Sequence, residues 1–146
     1  MFTPICIGDE AHKFWRIVML ASDGEMTGIG EIEMRAYPGG PDQCTGGTPG
    51  ASSSYSTNTP DKAFDGVQGA QGWATQVNSG VGEYIYYEFA TPVSVSELFI
   101  YSANSVVYWP TSIDFDWSDN GTNWTNRAAL ATGLTGVGQS VTLNVA

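Results

Sequence analysis

The chain has 146 residues, the length of one ordinary domain with room for a sizeable core. Fifteen acidic against five basic residues leave a formal charge of −10, so the chain cannot readily assemble the basic face that nucleic acid or an anionic membrane requires. Charged residues make up only 14% and no apolar run approaches the roughly 18 residues of a membrane span, which argues against a coiled coil, a solvated disordered chain and a transmembrane helix.

At the front, Met1–Ile7 has no basic segment and its apolar stretch is broken by Asp9 and Glu10, so no signal peptide is expected. Residues 1–12 read as an arm, either a docking segment or a frayed terminus. Cys6 and Cys44 lack CxxC spacing; pairing and two buried thiols both stay open.

Helical periodicity is nearly missing. Short aromatic or β-branched runs bounded by Gly, Pro, Asn and Ser predict strands at 13–21, 29–36, 50–55, 83–90, 94–101, 112–118, 123–130 and 138–145. In 29–36, Ile32 and Met34 alternate with Glu31, Glu33 and Arg35. In 112–118, Ile113, Phe115 and Trp117 alternate with Asp114 and Asp116, which places those two acids on a solvated face. Residues 37–50 form a Gly/Pro-rich joint, and Pro60–Phe64 is the one expected helical turn. Ser118-Asp119-Asn120-Gly121 predicts a tight hairpin, and the sequons at Asn120 and Asn123 read as turn chemistry. About eight strands at this spacing predict an all-β antiparallel sandwich or barrel in one domain.

From Ala51 onward the chain resembles a discoidin, or coagulation-factor type C, domain. Ala51-Ser52-Ser53-Ser54-Tyr55 looks like its first strand, and Lys62-Ala63-Phe64-Asp65-Gly66 with Trp73-Ala74-Thr75 like its "A-x-D-G … W-x-T" loop. Tyr84–Phe89 with Val93–Leu98 looks like the next strand pair, and Trp117–Trp124 like its "S-x-D-G-x-x-W" hairpin. The family's closing strand pair appears at the front instead, as Phe14-Trp15-Arg16-Ile17-Val18 and Gly30-Glu31-Ile32-Glu33-Met34. The resemblance therefore implies a galactose-binding-like jelly roll, circularly permuted: arm 1–12, displaced strand pair 13–36, joining loop 37–50, and the family's N-terminal part over 51–146. This arrangement is similar to bacteriophage structural proteins and implies a virion location, with other virion proteins as partners.

Relatives hold calcium with acids that correspond to Asp65 and Glu31, and a tight Gly-containing loop would suit the six to eight oxygens calcium takes. Val67 and Gln71 stand where relatives carry a second Asp and a Thr. The alternative is that Asp65 caps its own loop while Glu31 lies in solvent. Relatives also bind sugars through loop aromatics and planar polar groups. Here the loops offer Tyr108 and Trp109 as platform, with core packing equally open for that pair, and Tyr55, Asn58 and Asn104 beside them; Asn78 is a further polar candidate. Trp73, Trp117 and Trp124 fall where relatives place core or hairpin packing. The His and Arg that galactose-binding relatives use are missing: Ala74 follows Trp73, and no arginine lies between Arg35 and Arg127.

Catalytic motifs are lacking: His12 is the only histidine, and there is no GxSxG, HExxH or phosphate loop. The resemblance implies a non-catalytic binding module contacting host-surface glycans. The competing reading is a purely structural virion brick in a capsid decoration, head fibre or tail, with a homo-oligomer compatible with either.

Overall fold

The structure, a computed structural model, describes residues 10–22, 24–69, 71–103 and 108–146. Among these the strands in chain order are β1 (His12–Ser22), β2 (Gly28–Arg35), β3 (Thr48–Ala51), β4 (Trp73–Ala74), β5 (Tyr84–Val93), β6 (Glu97–Ser102), β7 (Pro110–Ser118), β8 (Thr125–Ala131) and β9 (Ser140–Asn144). The one described helical segment is a 3₁₀ turn at Pro60–Ala63, where the proline opens the turn. The strands form two antiparallel sheets, β3-β5-β1-β7-β8 and β4-β2-β6-β9, so the all-β sandwich is what the residues build.

Alternation explains the packing. On β1, Trp15, Ile17 and Met19 are fully buried, while Phe14, Arg16 and Val18 face outward and stay half-buried. They meet Ile85 of β5, Ile113 and Phe115 of β7, and from the facing sheet Ile32, Met34, Leu98 and Ile100. Trp15 stacks on Phe115 with ring centres 5.1 Å apart. Each such side chain contributes about 1.5–3 kcal/mol by leaving water. β1 lies between β5 and β7, and β2 between β4 and β6, so the first two strands hold interior positions in the two sheets.

Register defines two poles. Phe14 pairs with Ser118 and His12 with Val93 at one; Ser22 pairs with Pro110, and Gly28 with Ala74, at the other. At the first pole the Arg127 guanidinium donates through Nε to the Val145 carbonyl at 2.8 Å and through Nη1 to Glu10. The second pole gathers the loops around residues 24–27, 53–58, 75–82, 108–109 and 132–139.

Several expected elements are shifted, each for a local reason. The strand expected at 50–55 ends at Ala51, because Ser52 Oγ takes the Tyr84 N–H and Ser53 Oγ turns to Glu83. β4 was not expected; it exists because Trp73 and Ala74 pair with Ile29 and Gly28. The strand expected at 94–101 starts at Glu97, and that at 123–130 starts at Thr125, leaving Trp124 in the turn. The Asn-Gly hairpin forms where expected but with a six-residue connection between Ser118 and Thr125 instead of a tight turn: Ser118 Oγ accepts the Gly121 N–H, Asn120 Oδ1 accepts those of Thr122 and Asn123, and of the Asn-Gly pair Gly121 alone adopts positive φ, +74°.

Two facial expectations are corrected. Glu31 is fully buried, because the 3₁₀ turn packs over β2 and the joint 37–50 closes beside it. That joint is packed rather than free: Asp42 Oδ1 accepts the N–H groups of Met34 and Cys44, Gln43 Nε2 donates to Ser94 O, and Cys44 is buried. Asp116 is likewise buried, at 6% exposure, because Arg16 and Asn126 close over it. Of the core and hairpin packing expected for Trp124 the structure shows the second: it is half-buried in the turn and lies over the Arg16 guanidinium on the outside of the larger sheet. Cys6 lies outside the described residues.

Candidate functional site

Glu31 and Asp65 come together. β2 carries Glu31 under the loop that follows the 3₁₀ turn, and Gly66, at φ +78°, bends that loop so that its N–H donates to Glu31 Oε1 at 3.2 Å. Asp65 Oδ1 accepts the Val67 N–H at 2.9 Å, the loop cap anticipated as its alternative role. Glu31 Oε2 is buried with no hydrogen-bond partner among the described residues. Burial pushes the Glu31 carboxyl up to about 8; the Gly66 N–H restrains it, and the nearby Asp65 charge drives it further.

A buried carboxylate oxygen without a donor, beside a second carboxylate, has the chemistry of an incomplete cation site. Among the described residues no three His, Cys, Asp or Glu side chains converge, so main-chain oxygens would have to complete the shell. Val67 contributes no side-chain oxygen, and Gln71 Oε1 already accepts Lys62 Nζ at 2.7 Å. The residues fit a cation held by two carboxylates and the loop backbone.

The proposed ligand residues divide. Tyr55 is 47% exposed at the second pole; its N–H donates to Ala74 O and its carbonyl accepts the Asn58 N–H. The Asn58 side chain is engaged inward, Nδ2 donating to Gly72 O at 2.9 Å. Tyr108 is half-buried and packs over Gly24, where a Cβ would come within 2.2 Å of its ring. Trp109 is turned the other way: it packs against the core and its Nε1–H donates to Leu134 O at 3.1 Å. Half-buried Trp109 thus takes the core packing that the sequence left open beside its platform role. Asn104 lies outside the described residues. Trp73 is core, as expected, with Nε1 donating to Ser53 O at 2.8 Å.

A shallow open cavity of about 330 Å³ sits at this pole, lined by Gly24, Glu25, Asn78, Ser79, Gly80 and Val81. Gly24 both lines it and touches Tyr108. Asn78 holds φ +65°, a conformation asparagine tolerates, which shapes the rim. Glu25 was missed from sequence; the Asn78-Ser79-Gly80 turn triplet was the one signal pointing to this rim.

The sequence model of the F5/8 type C domain matches residues 49–145. The chain belongs to this family. No curated protein and no solved structure matches it. F5/8 type C, or discoidin, domains are typically non-catalytic binding domains, with carbohydrate and other ligands. β1 and β2 lie ahead of the matched residues yet occupy interior places in the sandwich, so the matched stretch alone leaves each sheet short of an inner strand.

Proposed function

We propose that this discoidin domain is a non-catalytic carbohydrate-binding module whose ligand sits at the loop pole, with a calcium ion at Glu31 and Asp65. The observation that carries the ligand reading is the open, polar-rimmed cavity joined through Gly24 to the Tyr108 ring, with exposed Tyr55 at the same pole. Aromatic faces suit the C–H side of a pyranose, and Asn78 and Glu25 suit its hydroxyls. Calcium supplies a fixed divalent charge when bound; Glu31 Oε2 and Asp65 hold it, tying the loop to β2. We further propose that β1 and β2, which precede the matched residues 49–145, are the family's closing strand pair displaced to the front by circular permutation, and that the module belongs to a bacteriophage virion, where it contacts host-surface glycans and docks on other virion proteins.

Glycan-array binding tests the ligand reading. Binding should be lost in Tyr55→Ala or Tyr108→Ala, while Trp109→Phe, a packing change, retains it. A blank array with well-folded protein would sink the reading and favour the structural brick. For the ion, millimolar calcium should raise the melting temperature of wild type and leave that of Asp65→Ala unchanged. No shift in wild type between calcium and chelator removes the ion from the site.

A further inference from the structure

The outer face of the five-stranded sheet carries an aromatic assembly that the loop-pole site does not use. Register aligns Gly50, Tyr86, Arg16, Asp116 and Asn126 in one row across all five strands. Tyr86 fills the space a side chain at Gly50 would need: a Cβ there would lie 2.2 Å from its Cζ. The Arg16 guanidinium lies 4.2 Å from the Trp124 ring centre and 5.1 Å from that of Tyr84. Phe14 and Tyr86 complete the surface, with ring centres 6.4 and 6.5 Å from Trp124.

The polar groups in this surface are fixed but not exhausted. Arg16 Nε donates to Asp116 Oδ2 at 2.9 Å, and Asn126 Nδ2 donates to Asp116 Oδ1 at 2.9 Å. Among the described residues neither terminal nitrogen of Arg16 donates a hydrogen bond, and its side chain keeps 20% exposure. A planar donor fork stacked on an indole and flanked by tyrosines presents hydrogen-bond donors and ring faces side by side.

We infer that this face is a second ligand surface, for a neutral polysaccharide laid across the strands from Tyr86 to Trp124. Charge selects the occupant. The cation of the row is neutralised by Asp116, and Asp114 stands beside it on the same face, so an anionic ligand meets no attractive field. A second copy of the chain brings another −10. A neutral polyhydroxylated chain uses what the face offers: ring faces for C–H groups and the terminal nitrogens of Arg16 as donors, with Asp116 holding that guanidinium in place from beneath. From β5 to β8 the row crosses three inter-strand gaps, about 14 Å, which accommodates an oligosaccharide rather than a single ring.

Affinity gel electrophoresis against soluble glucan, xylan, mannan and galactan tests this directly. Wild type should be retarded by at least one of them, and affinity should fall about tenfold in Tyr84→Ala and in Trp124→Ala, the scale of one lost stacking contact. Trp124→Phe, which keeps a ring over Arg16, should retain most of it. Tyr55→Ala, at the loop pole, should leave this retardation unchanged, so the two surfaces fail separately. Circular dichroism verifies the fold, and half-buried Tyr84 provides the readout if Trp124→Ala does not fold. Unchanged retardation in folded Tyr84→Ala and Trp124→Ala overturns the inference, as does absence of retardation by all four polysaccharides. A dimer in sedimentation that Trp124→Ala dissociates assigns the face to self-association instead and also overturns it.

Discussion

At Trp73 the indole N–H and the Ser53 carbonyl satisfy each other inside the core, so the residue is held by more than its volume. Trp73→Phe keeps most of the apolar area but strands that carbonyl, and the urea midpoint should fall by an amount equal to about 1–3 kcal/mol. Gly72, immediately before it, is required by space alone: a Cβ there would lie 2.2 Å from the Ile29 carbonyl oxygen and 2.5 Å from the Gly30 Cα. Backbone cannot swing aside as a side chain can, so Gly72→Ala should destabilise by about 1–3 kcal/mol in the same assay. Glu97 makes a pH prediction. The Arg35 guanidinium, at 2.7 Å, and then the Gly39 N–H hold its carboxyl below the ordinary 4.5. The folded state thus binds its proton less readily than the unfolded state. The resulting stability is complete above pH 4.5 and is lost as the pH falls through the folded value. Acid titration of the melting temperature should show a gentler fall in Glu97→Gln than in wild type; parallel curves would remove Glu97 from the acid limb. Residues also mark where sequence reading stops. Trp73 was legible as core because its motif set it there. The resemblance set Glu31 beside Asp65, but its burial was not legible, because alternation reports one covered face and cannot foresee a loop folding over the other.

At the scale of elements, β1 and β2 decide whether there is a sandwich at all. Both are interior strands, and β1 alone brings Trp15, Ile17 and Met19 to the core. Residues 49–146, which include the whole matched stretch, should therefore fail to give a cooperative thermal transition when expressed alone. The converse is a rearranged chain that opens between exposed Thr45 and Gly46 and joins Ala146 to Glu10 through a short Gly-Ser linker. Because Arg127 reaches both Val145 and Glu10, the linker has little distance to cross, and this permutant should unfold cooperatively near the wild-type midpoint. Aggregation or a non-cooperative transition would show that the present order is needed. Strand existence was legible because aromatic and β-branched runs between turn residues have few other uses. The edges were not: whether Ser52 and Ser53 extend β3 depends on Tyr84 and Glu83, some thirty positions away. Likewise the sequence left two roles open for Trp109, platform or packing, and two for Trp124, core or hairpin. Neither is decided until Leu134 O and Arg16 are in place to receive them.

For the molecule as a whole, fifteen acids on one small domain repel one another in the folded state more than in the expanded one. With chelator present, raising sodium chloride from about 10 to about 300 mM shortens the screening length from roughly 30 to 6 Å and should raise the melting temperature. A fall would mean that ion pairs such as Arg16–Asp116 outweigh the repulsion. The loop pole lies at the far end of the strands from the pole where Arg127 pins Glu10 and Val145, whereas Phe14 and Trp124 bring one edge of the outer-face assembly beside that pin. That pin sets the geometry of attachment. A cable fixed to Ala146 leaves from that spot, so the module can swivel like a hand at a wrist with its fingertips, the loop pole, unobstructed. A fluorescent protein or affinity handle could be appended after Ala146 without shadowing the loops that meet a ligand.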